Sequence, residues 1–349
     1  MISATGARIV RMLPPEVAHT LTIRMLTYGA GVPAHAPQLP VSTRVELPRS
    51  GLRLCSPVGL AAGFDKNCDV PGAMARFGFG FIECGTVTPK PQPGNPKPRL
   101  FRLREDRAVI NRMGFNNYGL DYFVRRLEKY RHDVPIGANV GANKDTEDRI
   151  GDYVTCIEAV APYTNYITIN VSSPNTPGLR GLQDKATLTQ LLARCGAADR
   201  KELPVFLKVA PDLDADAIAD ICGVVLREGA WLAGLIISNT TLARPPSLRS
   251  EEKSEAGGLS GAPLFQPSTE VLRLFARTLN GKFDLIGAGG IGTGRDAYAK
   301  IRAGASAVQL YSLMVYDGPG IAARVARELS NCLAEDGFSS LADAVGKDL

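Results

Sequence analysis

From residue 52 onward the chain alternates eight times between short apolar runs and stretches with helical spacing. The runs are 58–63, 79–86, 136–140, 166–171, 205–209, 235–238, 285–287 and 307–310. Amphipathic stretches separate most of them, including 147–160, 185–192, 215–226 and 269–279. A run that is apolar on both faces needs cover on both, as in a parallel sheet flanked by helices. Eight such strands in alternation predict an α/β fold, a (β/α)8 TIM barrel rather than an open sheet. The longest interruption, 89–117, follows the second run and is rich in Pro, Gly and Arg. A loop of that length in a compact domain is expected to be functional.

Residues 1–45 are different in kind. Arg8, Arg11, Arg24 and Arg44 face a single acid, Glu16. Ile9, Val10, Met12, Leu13, then Val17, Leu21 and Met25 recur at helical spacing, broken by Pro14 and Pro15. Pro15 suits the first position of a second helix. The segment is expected to be an N-terminal helical extension of 1–45 ahead of a catalytic barrel of 46–349. Two readings of the extension stand side by side: a helical pair lying on a membrane surface, or one that packs against the barrel. No apolar run is long enough to span a bilayer. The prolines, Glu16 and Arg24 interrupt the stretch before Ala34-His35-Ala36, which argues against a signal peptide.

Composition narrows the chemistry. A formal charge of +5 with both signs interspersed does not suggest nucleic-acid binding. Seven cysteines, an odd number with no Cys-x-x-Cys pair, point to reduced thiols rather than disulfides or zinc. Cys68 and Cys84 fall near the expected site, and ordinary packing is the expectation for both. The three histidines, His19, His35 and His132, offer no evident catalytic triad or metal site.

In a barrel the strand ends meet at one face, where the chemistry sits. The first run ends Ala61-Ala-Gly-Phe-Asp-Lys66, the second Cys84-Gly-Thr86, the third at Asn139 and the fourth at Asn170. The others end at Lys208, at Ser238-Asn-Thr240, at Gly287-Ala-Gly-Gly290 and at Tyr311-Ser312. The expected ring holds amides, hydroxyls and two lysines, with no carboxylate at its centre. It suits a planar, anionic, carbonyl-rich ligand better than a metal. The loop Asn170-Val-Ser-Ser-Pro-Asn-Thr-Pro-Gly178 contains no His, Cys, Asp or Glu, so any base in it is Ser172 or Ser173. Gly287-x-Gly289-x-x-Gly292 matches a dinucleotide fingerprint literally. On the seventh strand of eight it reads instead as a phosphate-monoester cradle, with Gly257-Gly-Leu-Ser-Gly261 as further donors. Lys66 and Lys208 fit either charge compensation of an anion or a Schiff base.

These strand ends, in this order, resemble the dihydroorotate dehydrogenase family, most nearly its membrane-associated, quinone-using class. The resemblance is carried by Gly59-Leu-Ala-Ala-Gly-Phe-Asp-Lys66, Gly85-Thr-Val-Thr-Pro-Lys-Pro-Gln-Pro-Gly-Asn-Pro-Lys-Pro-Arg99 and Asn111-Arg-Met-Gly-Phe-Asn-Asn117. It continues through the Asn170 loop, Lys208-Val-Ala-Pro-Asp212, Asn239-Thr-Thr241 and Gly257-Gly-Leu-Ser-Gly261. It implies oxidation of (S)-dihydroorotate to orotate with flavin mononucleotide (FMN) as hydride acceptor and ubiquinone or menaquinone as final acceptor. The FMN contacts it implies are Ala62, Gly63, Phe64, Asp65, Lys66, Thr86, Asn139, Asn170, Lys208, Ser238, Gly261, Gly290, Tyr311 and Ser312. Ser238 and Ser312 stand where Thr is common in the family. The substrate contacts it implies are Lys66, Asn111, Arg112, Met113, Gly114, Phe115, Asn170, Asn175, Asn239 and Thr240.

The resemblance makes Ser173 the base, with a proton relay through Thr176 and water beneath Phe115. Gly178 and Gly181 would let that loop open. A serine, where the cytosolic class carries a cysteine, selects the quinone class. The implied setting is a peripheral protein on the cytoplasmic face of a bacterial cell membrane, with a lipid surface but no nucleic acid or obligate protein partner. Two other readings are a Schiff-base aldolase or lyase using Lys66 or Lys208, and a non-enzymatic membrane-surface protein with a degenerate barrel.

Overall fold

The computed structural model describes residues 12–349. The earlier half of the expected helical pair, including Ile9 and Val10, lies outside them. The helix α1 (Pro15–Thr27) starts with Pro at its first turn, as the sequence predicts. The strands are β1 (Val45–Glu46), β2 (Arg53–Leu54), β3 (Val58–Leu60), β4 (Phe81–Val87), β5 (Leu100–Leu103), β6 (Ala108–Asn111) and β7 (Ile136–Val140). They continue with β8 (Tyr166–Asn170), β9 (Val205–Val209), β10 (Gly234–Ile237), β11 (Gly258–Gly261), β12 (Asp284–Ala288) and β13 (Ala307–Leu310). Eight of them close a barrel in the order β10-β12-β13-β3-β4-β7-β8-β9, every pairing parallel. The predicted barrel is therefore the observed fold, and each predicted run supplies one barrel strand.

Two apolar layers hold it. Outside the strands, a continuous core packs them against the helices. Inside, Phe81, Tyr166, Phe206, Ile236 and Ile286 fill the end away from the catalytic face. Their rings meet edge to face, Tyr166 at 6.3 Å from Phe81 and 5.7 Å from Phe206. Glycine makes room for them: a Cβ on Gly137 would lie 2.1 Å from the Tyr166 ring. The β1–β2 ribbon plugs this end with Leu47, Leu52 and Leu54. The Asp284 carboxylate fastens the plug by accepting from the backbone N–H groups of Arg49 (3.1 Å) and Ser50 (2.8 Å).

Two segments differ from the sequence reading. The interruption after the second barrel strand is not an irregular loop throughout: β5 and β6 form a hairpin within it. The glycine run at Gly257–Gly261 adds β11 as a third antiparallel strand, with Gly258 opposite Asn111 and Gly261 opposite Ala108. Much of that run's hydrogen bonding is spent on pairing rather than left for a phosphate. The cause is long-range, since β11 and β6 are about 150 residues apart in the chain. This small sheet stands over the mouth of the barrel, and the Tyr316 hydroxyl pins its turn by donating to Ala108 O at 2.6 Å.

The helix α1 lies against β5. Leu26 and Ala18 are buried, while Val17 and Leu21, with Met12 before the helix and Tyr28 after it, are exposed. Burying one side chain of Leu26's size contributes about 1.5–3 kcal/mol. One face of the helix packs on the barrel, and another is left apolar and open. No helix among the described residues is long and apolar enough to cross a membrane.

Candidate active site

A single cavity of about 790 Å³ opens at the C-terminal ends of the barrel strands and runs outward beneath α1. Its inner end gathers residues that the sequence keeps far apart. Ala62, Gly63, Phe64 and Lys66 follow β3, Thr86 sits on β4 and Asn170 ends β8. Lys208 comes from β9, Asn239 and Thr240 follow β10, and Tyr311 and Ser312 follow β13. Asn111, Met113, Gly114 and Phe115 descend from the hairpin above, and Ser173 and Asn175 from the loop after β8. The outer end is apolar, with Pro15, Ala18, Met25 and Leu26 on one side and Phe77, Met314 and Val315 on the other.

Seven predicted site residues do not line this cavity. Asp65 is turned away, and its carboxylate accepts from the N–H groups of Asp69 (2.8 Å) and Val70 (2.7 Å). Burial pushes Asp65 up to about 6 against those bonds. Arg112 faces outward, paired with Glu255 at 2.7 Å and stacked 4.5 Å over the Phe101 ring. Thr176 is buried, its hydroxyl without a partner. Gly290 backs onto Phe265, where a Cβ would come within 2.5 Å of that residue's backbone. Gly261 is held in β11, and the Ser238 hydroxyl donates to Asn239 O at 3.2 Å. Asn139 lies beneath the ring and acts through it, as follows.

The strand-end ring holds no carboxylate, as expected, but one lies beneath it that the strand ends did not announce. Glu83, in the middle of β4, is fully buried inside the barrel. It accepts from Asn139 Nδ2 (2.7 Å), Thr168 Oγ1 (3.0 Å) and Gln309 Nε2 (2.8 Å), and stands 3.8 Å from Lys208 Nζ. Alternation along a strand turns Glu83 inward, while three hydrogen-bond donors and the Lys208 ammonium, from four other strands, make its burial tolerable. An acid in the middle of the apolar run Phe81-Ile-Glu-Cys84 was the sequence signal for it.

His19 was the other omission. From α1 its Nε2 lies 2.7 Å from Phe64 O, and its ring meets Phe64 edge to face at 5.5 Å. Phe64 in turn meets Tyr311 at 5.7 Å. Burial, with Lys66 nearby, pushes His19 down to about 3, so the ring is neutral at pH 7 and donates from Nε2. The three rings carry the cavity wall from the apolar end to the polar end. Lys66 is pulled down to about 8, chiefly by burial, with Glu16 opposing.

Ser173 is buried, and its Oγ accepts from Asn175 N at 3.3 Å. The loop that carries it is anchored at several points. Arg180 donates to Ser172 O (3.1 Å) and Thr240 O (2.9 Å) and pairs with Asp212 at 2.7 Å. Asn175 Nδ2 donates to Asn111 Oδ1 at 3.2 Å. Asn95 Nδ2 reaches Asn175 O (3.0 Å) and Arg112 O (3.1 Å). Arg99 then holds Asn95 O (2.8 Å) and Pro93 O (2.7 Å), and pairs with Glu16 of α1 at 2.7 Å. The helix over the apolar end is thus hydrogen-bonded, link by link, to the loop at the polar end. Gly178, at φ +70°, begins the turn that returns this loop to the barrel, whereas Gly181 lies within the 3-10 turn Leu179–Gln183.

Cys68 and Cys84 are buried beside Asp65, and burial pushes the Cys84 thiol well up, away from reactivity. Among the described residues no group of three His, Cys, Asp or Glu is placed to hold a metal.

The family model described as dihydroorotate dehydrogenase matches residues 45–333. The chain is 53% identical over 342 residues to the dihydroorotate dehydrogenase (quinone) of Parvibaculum lavamentivorans, covering 98% of this chain and 97% of that one. It is 51% identical over 347 residues to the enzyme of the same name from Novosphingobium aromaticivorans, covering 97% of each. Among solved structures it is similar to dihydroorotate dehydrogenase (DHODH) of Eimeria tenella. The ferulenol complex has a TM-score of 0.90 at 42% identity, covering 96% of this chain and 95% of that one. The ligand-free form has a TM-score of 0.90 at 43% identity, covering 96% and 99%.

Proposed function

We propose a division of labour among these residues from one premise: the chain belongs to the dihydroorotate dehydrogenase family. Its reaction is the oxidation of dihydroorotate to orotate in pyrimidine biosynthesis, with a quinone taking the electrons. The observation that carries the reading is a continuous cavity that joins a polar, strand-end ring to an apolar corridor under α1. Two substrates of opposite character, a hydrophilic ring and a lipid-soluble quinone, can reach opposite ends of it. Neither the Schiff-base reading nor the non-enzymatic reading accounts for the corridor together with this membership.

The family is flavin-dependent, and FMN is the form proposed here. The inner cavity fits such a group. Gly63, at φ +105°, presents bare backbone to the cavity. The Thr240 hydroxyl is buried in the wall without a partner. Lys208 supplies a buried positive charge at the floor. Ala62, Gly63, Thr86, Asn170, Lys208, Tyr311 and Ser312 would hold the flavin, and backbone around Gly290 and Ser312 its phosphate. When bound, flavin supplies the hydride-accepting centre. Lys208 favours the negative charge of its reduced state.

The protein's own part is to bind, orient and move a proton. Lys66 neutralises the substrate carboxylate. Asn111, Asn175 and Asn239 offer donor and acceptor to the amide edges of the ring. Ser173 takes the proton from C5. A neutral hydroxyl is a weak base, so the proton must pass on. The buried, unpartnered Thr176 hydroxyl three residues on supports the relay. Phe115 roofs the site, and the anchored loop keeps water out.

Residues 1–45 form the quinone-access and membrane-association region, and 46–349 the catalytic barrel. The exposed Met12, Val17, Leu21, Tyr28 and Val41 give the membrane-facing surface its apolar contact. The surface proposed is the cytoplasmic face of a bacterial membrane, and the quinone ubiquinone or menaquinone. The test is anaerobic addition of dihydroorotate to the purified protein. The yellow colour should bleach and return with a quinone but not with NAD or fumarate. Failure to bleach, or re-oxidation by NAD alone, would overturn the reading.

A further inference from the structure

Glu83 does more than fill the barrel. Its Oε2 is claimed by Thr168 and Gln309, and its Oε1 accepts from Asn139 Nδ2 at 2.7 Å. An ionised carboxylate can only accept. Asn139 must therefore turn its nitrogen toward Glu83 and its oxygen toward the mouth. That oxygen accepts from Thr86 Oγ1 (2.5 Å) and Asn170 Nδ2 (3.1 Å). Asn170 is thereby turned in the same sense. Its oxygen accepts from Ser172 N (3.2 Å), Ser172 Oγ (3.0 Å) and Asn239 Nδ2 (3.4 Å). Three amides from three strand ends run in one direction, and the carboxylate terminates the line.

We propose that Glu83 is a positioning residue that fixes the donor and acceptor polarity of Asn139 to match Asn170 and Asn239, whose amides the backbone N–H groups of Ser172 and Thr240 also hold, and so keeps the amides that meet the substrate in place. This rests on reading the inner cavity as the dihydroorotate site. The backbone makes the direction irreversible. Ser172 N–H cannot rotate away from Asn170 Oδ1. With a glutamine at position 83 whose oxygen stays on Thr168 and Gln309, its NH2 group faces the NH2 of Asn139 and two donors stay opposed. If Asn139 and Asn170 both flip, the Asn170 nitrogen is set against Ser172 N–H. If instead the Gln309 amide turns its unpartnered oxygen to accept the new NH2, the Thr168 hydroxyl loses its acceptor. A buried donor goes unsatisfied in every arrangement. Direct contact between Glu83 and substrate is not required, since the chain ends at Asn170 and Asn239, which line the cavity.

The test is anaerobic titration of the flavin-loaded protein with orotate, followed by flavin absorbance, with flavin content and melting temperature recorded for each variant. Glu83→Gln should weaken orotate binding ~10-fold, the scale of one buried hydrogen bond lost. The double variant Glu83→Gln/Asn139→Asp moves the carboxylate one step up the chain. The carboxylate now at position 139 would accept from the amide at position 83, from Thr86 and from Asn170. The direction, and most of the orotate affinity, should then return. Thr168→Val removes a bond to the same carboxylate without touching the chain's direction, and should leave orotate affinity at the wild-type value. Wild-type affinity in Glu83→Gln would overturn the proposal, as would equal weakening in Thr168→Val or no recovery in the double variant. If Glu83→Gln alone does not fold, the double variant decides: a folded, orotate-binding double variant supports the proposal, and an unfolded one overturns it. A wild-type protein that ignores orotate would sink the substrate reading instead.

Discussion

Replacing Glu16 by Ala tests whether the two ends of the cavity are mechanically joined. Glu16 sits on α1, while Arg99, Asn95 and Asn175 lead from it to the substrate loop. The Arg99 side chain is 7% exposed and that of Glu16 19%, so the pair is largely buried. Removing one partner of a fully buried pair costs about 3–5 kcal/mol, and an exposed pair is worth about 0–1. Arg99 keeps its bonds to Pro93 O and Asn95 O in the variant, and Glu16 is partly solvated. The expected loss is therefore roughly 1–2 kcal/mol, between those limits. If about 1 kcal/mol of it reaches Asn95, and through it Asn175, the dihydroorotate KM should rise about fivefold. Anaerobic half-reactions separate the effects, dihydroorotate binding on one side and quinone re-oxidation on the other. The effect also has a pH signature. Burial raises the Glu16 carboxyl, but the Arg99 hydrogen bond and charge, with Lys97, outweigh it and hold the group below its ordinary 4.5. A depressed acid stabilises the fold above its unfolded value. That contribution is lost as pH falls from 4.5 through the folded value. A melting temperature that drops while the dihydroorotate KM stays fixed would refute the coupling and leave the ion pair a mere fastening.

Three further outcomes follow from the site. Ser173→Ala should slow flavin reduction by dihydroorotate at least ~100-fold while orotate still binds, and a near-wild-type reduction rate in rapid mixing would remove Ser173 as the base. Deleting residues 1–40 should abolish quinone reduction and spare flavin binding, and unchanged quinone turnover would refute the access role. Lys66, pulled down to about 8, should lose its proton as pH rises through that value, so the dihydroorotate KM should climb above pH 8. Lys66→Met should show a high KM with no such climb; the same climb in the variant would assign the titration to another group.

The alternation of apolar runs made the barrel legible because a parallel strand buried on both faces cannot hide its composition. The strand ends were legible for a related reason, since polar residues abruptly following β-branched ones mark the catalytic rim. Local reading missed β11, whose glycines it took for a loop. A strand's partner there lies far away in sequence, and nothing within the run announces β6. It also left the N-terminal segment undecided, because two faces of one helix can serve two neighbours.

The amino-acid order by itself determined eight strands, the polar identity of their ends and a base-poor loop around Ser173, all properties of short windows. Only the closed barrel decided what those groups meet. Closure brings Glu83 of β4 against partners from β7, β8, β9 and β13. It likewise carries Glu16 to Arg99 across 83 residues. Polarity and charge pairing in this cavity are properties of contacts between distant segments, and such contacts exist only once the chain has folded.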